Sequence, residues 1–192
     1  MTKPIIYQLF PRLFTNTVAN CVANGSIHEN GCGKMNDINE TVLKSIKALG
    51  ATHIWFTGVI EHANKTDYTE FGIKKDNPYV VKGNAGSPYA IKDYYDVDPD
   101  IAVEVPNRIQ EFKHLVLSTH RSGLKAIIDF VPNHVARNYH SDTKPIGVSD
   151  FGEHDNPNCF YNRDNNFYYI PDQQFSPSFN IGEGENAYIE HP

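Results

Sequence analysis

The stretch Leu124 to His134, Leu-Lys-Ala-Ile-Ile-Asp-Phe-Val-Pro-Asn-His, constrains this chain more than any other. Ala126, Ile127 and Ile128 form a short apolar run introduced by Arg121-Ser122-Gly123. Such a run after a helix stop predicts a buried parallel strand. Pro132 cannot donate to a ladder, so the strand is expected to end near Phe130. Asp129 then stands where the strand runs out, and Asn133 and His134 open the next loop. In α/β folds ligands meet the carboxyl ends of parallel strands. An acid, an amide and an imidazole would therefore arrive together at the working edge of a sheet. A strand end with a capping Asp and two polar loop residues has the same spacing.

The preceding chain repeats the pattern. Ile5 to Phe10 reads as a first strand ended by Pro11. Asp37 with Glu40 three residues later suggests a capping-box start. Ile38, Val42, Ile46 and Leu49 then fall on one helical face, and Gly50 stops the helix. Thr52 to Phe56 is β-branched and aromatic, a second strand. Pro106 suits a first helical position, with Ile109, Phe112, Leu115 and Val116 as the buried face and Gly123 as the end. The order is (β-α)(β-α)β, an α/β arrangement. The 58–104 connection is long enough to be functional or to carry small elements of its own. Within it, Ser87 to Pro99 packs Tyr89, Tyr94 and Tyr95 among Asp93, Asp96 and Asp98. It reads either as a surface loop or as a sugar platform, since tyrosine faces take apolar C–H surface while Asp accepts hydroxyl protons.

From Val135 onward apolar periodicity is lost. Asn162–Asn166 and Gly182–Asn186 look like turns, and Phe167 to Ile170 is the one plausible strand. At 192 residues, 40% hydrophobic, the chain has the material for a core, and its net charge of -6 offers no basic footprint for nucleic acid. Nothing in it reads as a membrane span or a signal h-region. The chain as written is expected to be cytoplasmic, or periplasmic or secreted if a leader was removed. Cys21, Cys32 and Cys159 match no zinc spacing and are expected as free thiols, though Cys21 and Cys32 could pair in an oxidising compartment. There is no G-x-G-x-x-G and no P-loop. His53, His62, His134 and His140 fall at no H-E-x-x-H spacing, which argues against a metal hydrolase.

Four segments in order resemble the α-amylase family of glycoside hydrolases. They are Tyr7-Gln8-Leu9-Phe10-Pro11-Arg12, Leu49 to Phe56, Tyr89 to Pro99, and Asp129-Phe-Val-Pro-Asn133-His134, the last similar to that family's D-x-V-x-N-H signature. The resemblance implies an incomplete (β/α)8 TIM barrel over residues 1–134, with its first three strands and two helices. An irregular domain B would begin over residues 135–192. It implies that Tyr89 stacks under a glucose of an α-glucan or malto-oligosaccharide, and that His134 hydrogen-bonds the same sugar. Asp129 would hold a strand-end network positioning an arginine of the full enzyme. Asp93 would anchor the tyrosine loop, and the Asn133 amide oxygen would ligate Ca2+. The family's nucleophile lies in a G-F-R-x-D context, which this sequence lacks, so the catalytic carboxylates are expected beyond residue 192. The remainder of the barrel is then a required partner, and the chain alone is expected to be inactive. Ser87 and Ala90 differ from the histidine and tryptophan that some relatives carry beside the tyrosine. A non-catalytic barrel that binds sugar or protein is the rival reading.

Overall fold

A computed structural model describes residues 3–19 and 21–173; the expected turn at Gly182–Asn186 lies outside them. Five strands and four helices carry the architecture: β1 (Ile6–Leu9), α1 (Pro11–Phe14), α2 (Ile27–Asn30), α3 (Glu40–Ala48), β2 (His53–Phe56), β3 (Ile60–His62), β4 (Ile91–Val97), α4 (Arg108–Arg121) and β5 (Lys125–Ile128). β1, β2 and β5 form a parallel sheet with β2 in the centre. Ile6 faces His53 and Leu9 faces Phe56 across the first pair; His53 faces Lys125 and Phe56 faces Ile128 across the second. Parallel neighbours need a crossover, and α3 and α4 lie in the two connections.

The core sits where these helices meet the sheet. Leu9, Ile54 and Phe56 from the strands are buried with Leu43 and Ile46 of α3, Leu115 of α4, and Met35, Ile38, Ile101 and Leu124 of the connections. Their burial is the main favourable term in the fold.

Several details differ from expectation, each for a local reason. The cap of α3 is Asn39, whose side chain accepts from the backbone N–H groups of Thr41 and Val42. Asp37 instead belongs to a short 3-10 turn, Met35–Asp37. Leu49 ends the helix and is 74% exposed; Leu43 takes the inner position. Asn39→Ala is expected to lower stability by about 1 kcal/mol, read as a lower urea midpoint with an unchanged slope. β5 ends at Ile128, and both Ile128 and Phe130 are exposed. β5 was expected to be buried; it is an edge strand here, paired only with β2 among the described residues. Phe167 to Ile170 forms no strand.

The long 58–104 connection does carry its own structure: β3 and β4 pair antiparallel, with register shifts on both sides of Glu61. After β5 no helix or strand follows among the described residues. The segment is tied down by side chains. Asp155 accepts from the backbone N–H groups of Asn166 and Phe167 and from the Tyr169 hydroxyl, at 2.8–2.9 Å. Slight burial pushes the Asp155 carboxyl up, but these donors outweigh it and hold the group below the usual carboxylate range. A depressed acid stabilises above its unfolded value of about pH 4 and loses that contribution as pH falls through its folded value. Acidification below about pH 4 should therefore open this loop. Hydrogen exchange at Asn166 and Phe167 that speeds up there in the wild type, but is already fast at neutral pH in Asp155→Asn, would bear this out.

Candidate functional site

The carboxyl ends of β1, β2 and β5 lie side by side, and Asp129, Asn133 and His134 follow β5. Trp55 of β2 donates its indole Nε1–H to Asp129 Oδ1 at 2.6 Å, linking the ends of β2 and β5. Gln8 of β1 donates to the Thr57 hydroxyl at 2.9 Å, linking β1 to β2. Asp129 Oδ2 is buried with no hydrogen-bond partner among the described residues. A buried carboxylate oxygen left bare is costly, and it marks a place where a donor fits.

Tyr89 stands in the loop before β4. The residue before it, Pro88, packs beside Gly58 and the Phe10 ring, just past the ends of β2 and β1: a Cβ at Gly58 would lie 3.0 Å from Pro88 Cβ and 2.7 Å from Phe10 Cε2. Tyr89 itself is 43% exposed, as an aromatic platform must be. His134 is exposed, its Nδ1 2.9 Å from Asn133 Oδ1. Tyr94 of β4 donates its hydroxyl to the carbonyl oxygens of Val131 and His134. The Ala136 N–H donates to Ile91 O at 2.7 Å. The tyrosine loop and the Asn133–His134 loop are thus fastened to the same strand, β4. The structure places Asp129, Asn133 and His134 just after β5 and Tyr89 just before β4.

Asp93 plays a different part. It is completely buried on β4. Its Oδ1 accepts from the Tyr95 N–H at 2.7 Å, and its Oδ2 accepts from Asp142 N–H at 2.9 Å and Thr143 N–H at 3.4 Å. It clamps the segment after β5 onto the ribbon.

Asn133 Oδ1 is engaged with His134, and no group of three or more His, Cys, Asp or Glu converges on it among the described residues. The one such group is Glu61, Asp93 and Asp96, with oxygen atoms within 4.8 Å of one another. Burial, with the neighbouring Asp96 and Asp93 charges, pushes the Glu61 carboxyl up to about 8 against the pull of Lys92.

Sequence reasoning missed a buried charge network. Asp96, Asp98 and Asp100 read as loop acids, yet all three are buried. Arg12 contacts Asp100 Oδ2 at 2.5 Å and Asp98 Oδ2 at 3.5 Å, and Arg108 pairs with Asp96. Tyr68 donates to Asp100 Oδ1 at 2.7 Å, and Lys34 to its carbonyl at 2.6 Å. The available signal was the interleaving of these acids with Val97, Pro99 and Ile101. A cavity of about 600 Å³ opens beside Arg12 and Asp100, lined also by Asn16, Cys21, His28 and Asn84. None of the sequence-predicted residues reaches it. The three cysteines are free thiols, and no helix of the described residues is long and apolar enough to cross a membrane.

A parallel α/β sheet with crossover helices, and with its polar residues at the strand ends, defines the class: the opening part of an α/β barrel that works at its carboxyl-terminal face. A family model for the α-amylase catalytic domain matches residues 8–177, and the chain belongs to that family. Its fold is accordingly an incomplete (β/α)8 barrel. Trehalose-6-phosphate hydrolase of Bacillus subtilis is 27% identical over 134 residues, covering 70% of this chain and 18% of the relative. The amino acid transporter heavy chain SLC3A1 of Mus musculus is 28% identical over 131 residues, 68% and 14% of the two chains. Cyclomaltodextrin glucanotransferase of Geobacillus stearothermophilus is 25% identical over 183 residues, 88% and 23%. The chain spans less than a quarter of each of these relatives. An α-amylase from Geobacillus thermoleovorans, solved with acarbose, aligns over 71% of this chain and 24% of its own at 26% identity, with a TM-score of 0.49.

Proposed function

We propose that this chain is the substrate-positioning part of a glycoside hydrolase that cleaves α-glucosidic bonds of starch-like glucans. The observation that carries the reading is Asp129: one oxygen is fixed by the Trp55 indole and the other is buried and bare at a barrel strand end. A cationic donor from a further strand would complete it, as the α-amylase resemblance implies for an arginine. Tyr89 would stack beneath a glucose ring through its exposed face. His134 would hydrogen-bond hydroxyls of that sugar, and Asp93 would hold the loop that carries the tyrosine. Asn133 would offer one amide oxygen to Ca2+, a hard cation suited to such a ligand; its present partner is His134.

On this reading residues 1–134 are barrel and residues 135–192 begin domain B. The chemistry is retaining double displacement by two carboxylates roughly 5 Å apart, and on this reading no acid of the segment takes either role. This segment contributes orientation: it keeps the sugar in attack geometry.

The 192-residue chain is expected to bind maltoheptaose weakly, without turnover. Calorimetric titration should show at least a tenfold loss of affinity in Tyr89→Ala, since stacking is that protein's main apolar contact with the sugar. Starch hydrolysis by the chain alone, or unchanged affinity in Tyr89→Ala, would overturn the reading. The second reading, a non-catalytic barrel, draws support from the resemblance to a transporter heavy chain. A reading frame that continues past codon 192 without a G-F-R-x-D block would favour it.

A further inference from the structure

Glu61 and Asp93 are register partners across the β3–β4 ribbon. Two like charges directly opposite on paired strands repel, and these two are 1% and 0% exposed. The register shifts on either side of Glu61 let Glu61 and His62, consecutive in one strand, both turn inward. A bulge re-aims side chains in this way and is a recurrent feature beside functional sites. Asp96, 4% exposed, completes a set of three carboxylates whose oxygens lie within 4.8 Å of one another.

Among the described residues, Lys92 pairs with Glu61 and Asp76, and Arg108 pairs with Asp96. Asp96 is held by Arg108, and Asp93 by the N–H groups of Tyr95, Asp142 and Thr143. Glu61 has no such support. Lys92 Nζ stands 3.6 Å from Oε1, and Oε2 is buried with no hydrogen-bond partner among the described residues. A buried carboxylate oxygen without a donor, in a group of three carboxylates, is a setting that a divalent cation satisfies.

We propose that Glu61, Asp93 and Asp96 form a binding site for a hard divalent cation of the calcium class. Three carboxylates and no nitrogen or sulfur donor make an oxygen-only set, which suits Ca2+ rather than a softer transition metal. The ion pins β3 to β4. Through Asp93, which reaches Asp142 and Thr143 with its other oxygen, it also fixes the segment that follows β5. The site is separate from Asn133 and does not depend on the sugar-binding reading.

The test uses the 192-residue chain freed of metal with EDTA and titrated with calcium chloride alone. Calcium should bind at this site, and the thermal midpoint should rise by several degrees as calcium passes its Kd, by mass action on the folded state. Glu61→Gln, which keeps the shape and removes the charge, should weaken calcium at least tenfold and abolish the shift. Glu40→Gln, which removes an exposed carboxylate at the start of α3, should keep both. A wild-type midpoint indifferent to calcium and EDTA would overturn the proposal. So would an equal calcium response in Glu61→Gln. Should Glu61→Gln fail to fold, wild-type crystals soaked in terbium chloride decide: an anomalous peak between Glu61 and Asp93 supports the site, and the absence of a peak there refutes it. Maltoheptaose affinity in the same preparations reads the sugar site separately, so either reading can fail alone.

Discussion

Arg12→Met is expected to destabilise the chain by about 3–5 kcal/mol, the usual effect of removing one partner from a buried ion pair. Asp98 and Asp100 are 0% exposed, and the Arg12 guanidinium lies against both. Methionine matches the length of the stem but leaves two buried carboxylates facing each other. Whole-domain stabilities run to only about 5–15 kcal/mol, so this variant should be largely unfolded at 37 °C. Urea denaturation followed by Trp55 fluorescence measures it. Arg12→Lys keeps a charge but loses the guanidinium's fork geometry, and should fall between the two. If Arg12→Met unfolds within about 1 kcal/mol of wild type, as an exposed pair would, the buried network contributes little. The reason for expecting otherwise is geometric. Arg12 follows β1, Asp98 and Asp100 follow β4, and Tyr68 comes from the connection between them. One guanidinium and the Tyr68 hydroxyl tie together three pieces of chain distant in sequence.

Gly86→Ala should be comparably severe, for a steric reason. Gly86 has φ +73, and a Cβ there would lie 1.7 Å from the Ala63 carbonyl oxygen and 2.9 Å from its carbon. Those are backbone atoms just after β3, held by the Ala63 N–H donating to Ala90 O at 3.0 Å, so neither side can yield without breaking the ribbon. A loss at or above the ~4 kcal/mol that marks exceptional substitutions is expected. At temperatures where the variant still folds, maltoheptaose binding should fail as well, because Gly86 lies three residues before Tyr89. Gly83→Ala is the control. Its φ of +64 carries the same backbone strain, but nothing lies within 4 Å of the added methyl. It should cost only about 1–2 kcal/mol and leave sugar binding intact. Similar midpoints for the two variants would show that the close approach at Ala63 relaxes freely.

The barrel strands were legible because each is a short apolar run bounded by a breaker: Pro11 after β1, Gly50 before β2, Gly123 before β5. Periodicity also located α3 and α4. It misplaced Leu49, since a helix end turns its last residue outward when the chain must leave for β2. The Asp37–Glu40 spacing imitated a capping box while Asn39, directly before the helix, did the capping. At the candidate site, motif and strand-end logic singled out Asp129, Asn133, His134 and Tyr89, with the first three expected at one sheet edge. The contacts that fasten this edge, such as Trp55 to Asp129 and Tyr94 to Val131, were not legible, because they join residues 74 and 37 positions apart.

Local pattern alone determined the alternation of strand and helix, the break in character after His134 and the residue types at the strand ends, since each depends on neighbours within a turn or a few residues. Only the tertiary structure decided which charges are buried. Asp96, Asp98 and Asp100 look like solvated loop acids in one dimension, and they become the interior of the molecule when β4 folds across β3 and meets Arg12 and Arg108. Burial is set by what packs from elsewhere in the chain, and so is the pairing that a buried charge requires.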